Sequence, residues 1–123
     1  MLNILICDDL RSDAEKLEAF IRSSGFDAHP VIFASGNRLL EHVRSGAKVD
    51  ACFLEIVMPE INGIVLAEKL REDGFAGEII FLTISNDYAV ESYAVNAFHY
   101  LLKPAEQNSV SDVLRKLTET RSK

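Results

Sequence analysis

Several short apolar runs in this chain end on polar residues of complementary kinds. Ile6-Cys7 leads into Asp8 and Asp9, Phe53-Leu54 into Glu55, Phe81-Leu82 into Thr83, and Leu101-Leu102 into Lys103 and Pro104. Carboxylates crowded together raise one another's proton affinity unless something positive intervenes. A hard dication held by oxygens answers that need, and Mg2+ suits a site with few protein ligands and several waters. Lys103 and Thr83 suit an anion instead, as charge clamp and hydroxyl donor. A dication beside an anion-binding lysine and hydroxyl is the minimal equipment for phosphoryl transfer. Taken singly, each group has an ordinary explanation: a helix cap, a turn threonine, a loop Lys-Pro, a surface glutamate. The argument for a site is that one such group stands at each of several run ends.

Those run ends need a scaffold that brings them to one rim. The apolar runs Leu2–Cys7, Val31–Ala34, Ala51–Leu54, Glu78–Leu82 and Ala97–Leu102 have the length and content of buried parallel strands. Amphipathic stretches separate them. Val110, Val113, Leu114 and Leu117 mark one helix face, and Leu10, Ala14, Leu17 and Ile21 form a similar stripe. Ser12 with Glu15 has the capping-box pattern, and Gly25 is the expected stop of that first helix. Ser35 and Gly46 would bound the second helix, and Gly74 and Gly77 bracket the turn before the fourth strand. Alternating strands and helices predict an α/β fold, a parallel sheet covered on both faces. In such sheets ligands bind at the carboxyl ends of the strands, where the polar residues stand.

Bulk composition narrows the function classes. A length of 123 residues predicts one domain over 1–123. A net charge of −6 argues against nucleic-acid binding by this chain alone. No apolar stretch is long enough to span a bilayer and no signal peptide is visible, so the expectation is a cytoplasmic protein with no membrane association. Cys7 and Cys52 read as small buried core residues. His29, His42 and His99 are scattered without ligand spacing, and neither a Ser-His-Asp arrangement nor a Gly-rich phosphate loop is present.

With these residues in place, the chain resembles the receiver domain of two-component response regulators, the CheY-like phosphorylation switches. The resemblance covers essentially the whole chain. It rests on Ile6-Cys7-Asp8-Asp9, on Phe53-Leu54-Glu55-Ile56-Val57-Met58-Pro59 with Gly63, on Phe81-Leu82-Thr83 and on Tyr100-Leu101-Leu102-Lys103-Pro104. The stretch from Asp87-Tyr88-Ala89-Val90 to Pro104 resembles more narrowly the receivers of LytTR-type transcription regulators. The resemblance implies a flavodoxin-like (βα)5 fold with strand order 2-1-3-4-5. It implies Mg2+ held by Asp8, Asp9, Glu55 and the Val57 carbonyl, and phosphoryl transfer to residue 55 from a sensor histidine kinase. Thr83 and Lys103 would bind the phosphoryl oxygens. Thr83 and Tyr100 would act as the switch, reshaping the face of the fourth helix, fifth strand and fifth helix, a candidate self-association surface. The Lys103-Pro104 bond would be cis.

Two positions depart from that pattern. Residue 55 is glutamate where the family accepts its phosphoryl group on aspartate. The extra methylene moves the carboxylate by roughly 1.5 Å, more than in-line attack tolerates. Phosphotransfer is therefore expected to be lost, or partially imitated, since Glu55 brings one charge near Thr83 and Lys103 against nearly two for a phosphoryl group. Glu55 is either native to a phosphorylation-independent pseudo-receiver, acting as a protein-interaction module, or an engineered phosphate mimic. The second departure is Ile84, where the family has a small residue; it either narrows the pocket or turns into the core or fourth helix. Tyr88, Val90, Tyr93 and Val95 give the fourth helix more apolar surface than one core face needs, read as packing with ordinary exposure or else as a partner surface.

Other classes compete with a non-enzymatic signalling module. A small Mg2+-dependent phosphatase of the haloacid-dehalogenase type also combines Asp, Thr and Lys at strand ends. That family separates its two aspartates by one residue, whereas Asp8 and Asp9 are adjacent. A flavodoxin-type flavin carrier would need a hydroxyl- and glycine-rich loop where this chain has Asp8-Asp9-Leu10-Arg11. Ending at Lys123, just past the fifth helix, the chain is expected to be either part of a longer regulator with an output domain or a stand-alone module.

Overall fold

The computed structural model describes residues 1–121. Its five strands are β1 (Leu2–Cys7), β2 (Ala28–Phe33), β3 (Ala51–Leu54), β4 (Glu78–Thr83) and β5 (His99–Leu102). They form one parallel sheet in the order β2-β1-β3-β4-β5. Five helices alternate with them: α1 (Arg11–Arg22), α2 (Gly36–Arg44), α3 (Gly63–Glu72), α4 (Ala89–Ala94) and α5 (Gln107–Arg121). Strand order and element order are those expected from the sequence.

Side chains alternate across a strand, so each strand feeds two cores. Ile4 and Ile6 of β1, Phe53 of β3 and Ile80 of β4 pack against Leu17 and Ile21 of α1 and Val110, Val113, Leu114 and Leu117 of α5. On the other face, Leu5, Cys7, Leu54 and Phe81 meet Leu39 of α2 and Leu66, Ala67 and Leu70 of α3. Cys7 and Cys52 are buried free thiols, and burial, with Asp8 and Asp9 adding to it, pushes the Cys7 thiol up to about 12. It is therefore protonated and unreactive near neutrality. No helix among the described residues is long and apolar enough to cross a membrane.

Several boundaries differ from expectation. The second strand begins at Ala28, earlier than Val31, and contains Pro30; it lies at the sheet edge, where a residue without an amide is tolerated. The fourth strand runs on to Thr83, and the fifth starts only at His99. Ser12 does not cap α1. The helix starts at Arg11 with Leu10 at its N-cap and no side-chain cap bond, and Leu10 is half-exposed rather than part of the buried stripe. The turn before it is fixed by Asp8, whose Oδ1 accepts from the Leu10 amide at 2.9 Å. Ser35 does cap α2, accepting from the Arg38 amide at 3.4 Å. Gly25, Gly46 and Gly74 take positive φ in the turns after α1, α2 and α3.

Gly63 opens α3 directly under the β3–α3 loop. A Cβ there would run into the Glu55 carbonyl and the Ile56 backbone. Asn62 caps the same helix, accepting from the Ile64 amide at 2.7 Å. At the other end of α3, Arg71 donates to four main-chain carbonyls. Its Nε reaches Val95 at 2.8 Å, Nη1 reaches Phe75 at 2.9 Å and Gly77 at 2.7 Å, and Nη2 reaches Asn96 at 3.1 Å. One guanidinium thus ties α3 to the start of β4 and to the turn after α4.

Candidate functional site

The polar residues flagged in the sequence gather at the carboxyl ends of β1, β3, β4 and β5, but not all of them touch. Asp8 and Glu55 are buried, with side chains 7% and 3% exposed, and the Lys103 side chain is 8% exposed between them. Lys103 Nζ lies 2.8 Å from Asp8 Oδ2 and 3.0 Å from Glu55 Oε1. The bond from Lys103 to Pro104 is cis. A third carboxylate, Asp13 Oδ2 from the first turn of α1, stands 2.7 Å from the same ammonium. Sequence reasoning gave Asp13 no role, although a residue in the first turn of α1 must lie at this rim.

The second Glu55 oxygen is also engaged. Oε2 accepts from the Ile56 amide at 2.6 Å and the Val57 amide at 3.2 Å, folding the side chain back on its own loop. Thr83 is fully buried, and its Oγ1 accepts from the Ser85 amide at 3.2 Å. Among the described residues no hydrogen bond joins Glu55 to Thr83, so the expected approach of Glu55 to both partners is realised at Lys103 alone. The half-buried Tyr100 donates its hydroxyl to the Ser85 carbonyl, with its ring tilted against Phe81 at a centroid distance of 6.1 Å. Asp9 is exposed and Val57 is 47% exposed. Ile84, at 64% exposed, points to solvent, which corrects the reading that it turns into the core.

Electrostatics follow from one ammonium shared by three acids. Burial pushes the Asp8 carboxyl above the usual carboxylate range, outweighing its bonds to Lys103 and the Leu10 amide. Burial alone would lower Lys103, but its bonds to Asp13, Asp8 and Glu55 overcome that and hold the ammonium above the ordinary lysine value. Both partners move upward because a third of a counter-ion does not offset the desolvation of Asp8. A raised folded pKa means that folding takes up a proton on Asp8. Its contribution is therefore fully present below the unfolded value of about 3.9 and is lost as pH rises through the folded value. The stability advantage of wild type over Asp8→Asn is accordingly expected to be larger near pH 4 than at pH 7, read from urea midpoints; an advantage that grows with pH would contradict this.

The donor chemistry, all oxygen, is of the kind Mg2+ takes, but the arrangement does not fit it. Among the described residues no group of three or more His, Cys, Asp or Glu side chains is placed to hold a metal ion. An open cavity of about 370 Å3 near the other end of the sheet, lined by Met1, Phe26, Asp27, Lys48 and Arg121 among others, contains none of these residues.

The model of the response regulator receiver domain family matches residues 4–115. The chain belongs to the response regulator receiver family. Among relatives, this receiver is 35% identical over 117 residues to the sensory transduction protein LytR of Streptococcus mutans, covering 94% of the chain and 48% of that protein. It is 35% identical over 80 residues to the transcriptional regulatory protein YpdB of Escherichia coli, covering 65% of the chain and 31% of that protein. The receiver thus spans about half the length, or less, of these curated relatives. Among solved structures, the response regulatory domain of MrkE from Klebsiella pneumoniae superposes with a TM-score of 0.88 at 29% identity over 97% of both chains. The response regulator TrrA of Thermotoga maritima, solved in complex with Mg2+-BeF, gives 0.84 at 27% identity, covering 95% of this chain and 99% of that one. The CheY-like fold expected from the sequence is therefore the fold of this receiver.

Proposed function

We propose that residues 1–123 form a non-enzymatic receiver module of a LytTR-type transcription regulator whose switch is set by Glu55 instead of by phosphotransfer. The observation that carries this reading is the state of the Glu55 carboxylate. It stands where the family resemblance puts the phosphate-accepting aspartate, and both its oxygens are already bonded, one to Lys103 and one to the Ile56 and Val57 amides. In-line attack on phosphorus needs a free, aligned oxygen, and misplacement by about 1 Å is costly. Tyr100, held on the Ser85 carbonyl, supports a switch residue already fixed in an inward position. Thr83, bonded to Ser85 and not to Glu55, makes the imitation of a phosphoryl group incomplete.

In this reading Lys103 and Thr83 keep the anion-binding roles of the family, and Asp8, Asp9 and the Val57 carbonyl are the remnants of a Mg2+ site. A sensor histidine kinase is the partner that family membership supplies, binding in the cytoplasm without transferring its phosphoryl group. The output is a DNA-binding domain of the longer regulator. The outward side chains Val90, Tyr93 and Leu102, 77%, 85% and 50% exposed, support self-association through the α4–β5–α5 face.

The test is mass spectrometry after incubation with Mg2+ and acetyl phosphate. Wild type is expected to gain no phosphoryl group, whereas Glu55→Asp, whose shorter carboxylate withdraws from the loop amides, gains one. Phosphorylation of wild type would refute the reading. A Glu55→Asp protein that also stays unmodified would move the block from residue 55 to the rest of the site.

A further inference from the structure

Asp13 makes the shortest of the three contacts to Lys103, 2.7 Å against 2.8 Å to Asp8 and 3.0 Å to Glu55. An ammonium carries three donors, and here each has its own carboxylate, supplied by α1, β1 and the end of β3. The spacing is that of charge-assisted N–H···O bonds. Mg2+ requires oxygens at about 2.0–2.1 Å, so a cage of this size is roughly 0.7 Å too wide for it. Its centre already carries a positive charge. The remaining oxygens of the buried acids are taken as well: Asp8 Oδ1 by the Leu10 amide, and Glu55 Oε2 by the Ile56 and Val57 amides. Asp9 faces solvent.

We propose that Lys103 is the resident cation of this site, that Asp13 is the positioning residue which fixes it there, and that the site is closed without Mg2+. This rests on the reading of Glu55 given above and extends it. A carboxylate that stands in for a phosphoryl group has its counter-ion built into the chain, so the state of the switch does not follow the Mg2+ concentration. Asp13 contributes by a route separate from the strand ends: it draws the ammonium toward α1, so that three elements share one charge.

The experiment is NMR of the 15N-labelled full chain at neutral pH, observing the Lys103 side-chain ammonium, assigned by its absence in Lys103→Arg. Three acceptors slow its proton exchange enough for the signal to be seen. Titration with millimolar Mg2+ is expected to leave its position and intensity as in NaCl of equal ionic strength. A saturable shift or loss specific to Mg2+, or no ammonium signal in wild type, would overturn the proposal. Asp13→Asn should speed exchange about tenfold, the loss of one charge-assisted hydrogen bond, with helix content unchanged, and Asp13→Glu should restore the signal. An Asp13→Asn protein with the wild-type signal would overturn the role of Asp13. Phosphorylation of wild type by acetyl phosphate, read by mass spectrometry on a separate sample, would sink the Glu55 reading, whereas the ammonium signal is recorded with no phosphodonor present.

Discussion

Replacing Lys103 by methionine is expected to cost the protein about 3–5 kcal/mol, the usual penalty for stranding buried charge without its partner. Methionine keeps an unbranched apolar stem of similar reach and removes the ammonium. Asp8 and Glu55, 7% and 3% exposed, would then face each other and Asp13 with no counter-ion. Against a total stability of about 5–15 kcal/mol for a domain, that loss leaves a marginal fold. Chemical denaturation at neutral pH measures it. Acidification should shrink the deficit, because folded carboxylates without a counter-ion take up protons more readily than unfolded ones. A loss below about 1 kcal/mol, the range of exposed ion pairs, would mean that water solvates the cage.

Gly63→Ala is expected to be the next most damaging change, at roughly 1–3 kcal/mol, the cost of inserting a methyl group into filled space. A Cβ at this position meets the Glu55 carbonyl and the Ile56 backbone, and backbone cannot rotate away as a side chain does. The Gly63 amide also donates to the Ile56 carbonyl at 2.9 Å, so pushing the two segments apart strains a further contact. The displaced segment carries the Ile56 and Val57 amides that hold Glu55. Urea midpoints report the stability, and amide chemical shifts at Ile56 and Val57 report the displacement. An unchanged midpoint would show that the loop has slack.

Much of this was legible in the sequence because it depends on period and position. Continuous apolar runs named the strands, and the stripe Val110, Val113, Leu114 and Leu117 named the buried face of α5, all four being buried in the structure. The polar residues at run ends fell on one rim because parallel strands share a direction. What stayed hidden depends on distances between elements far apart in the chain. Asp13 lies 90 residues from Lys103, and its neighbours offered a more familiar signal, the Ser12–Glu15 pattern, that the helix does not use. Ser12 lost that role because the Asp8 side chain holds the Leu10 amide and the helix begins at Arg11. Pro30 hid the start of β2, since only its place at the edge makes it acceptable. The pairing of both Glu55 oxygens depends on how its loop turns back over Gly63, which no periodicity encodes.

The four carbonyl contacts of Arg71 have a mechanical consequence. Two of those carbonyls, Val95 and Asn96, belong to the turn that closes α4, so one end of this short helix is riveted to α3. The opposite end, from Ser85 to Tyr88, is held instead through Ser85, by Thr83 and by the Tyr100 hydroxyl. The helix is therefore a lever with its fulcrum at Val95. Were Thr83 or Tyr100 to shift Ser85, a helix pivoting at Val95 would carry that shift to the surface as a tilt, with Val90 sweeping further than Tyr93.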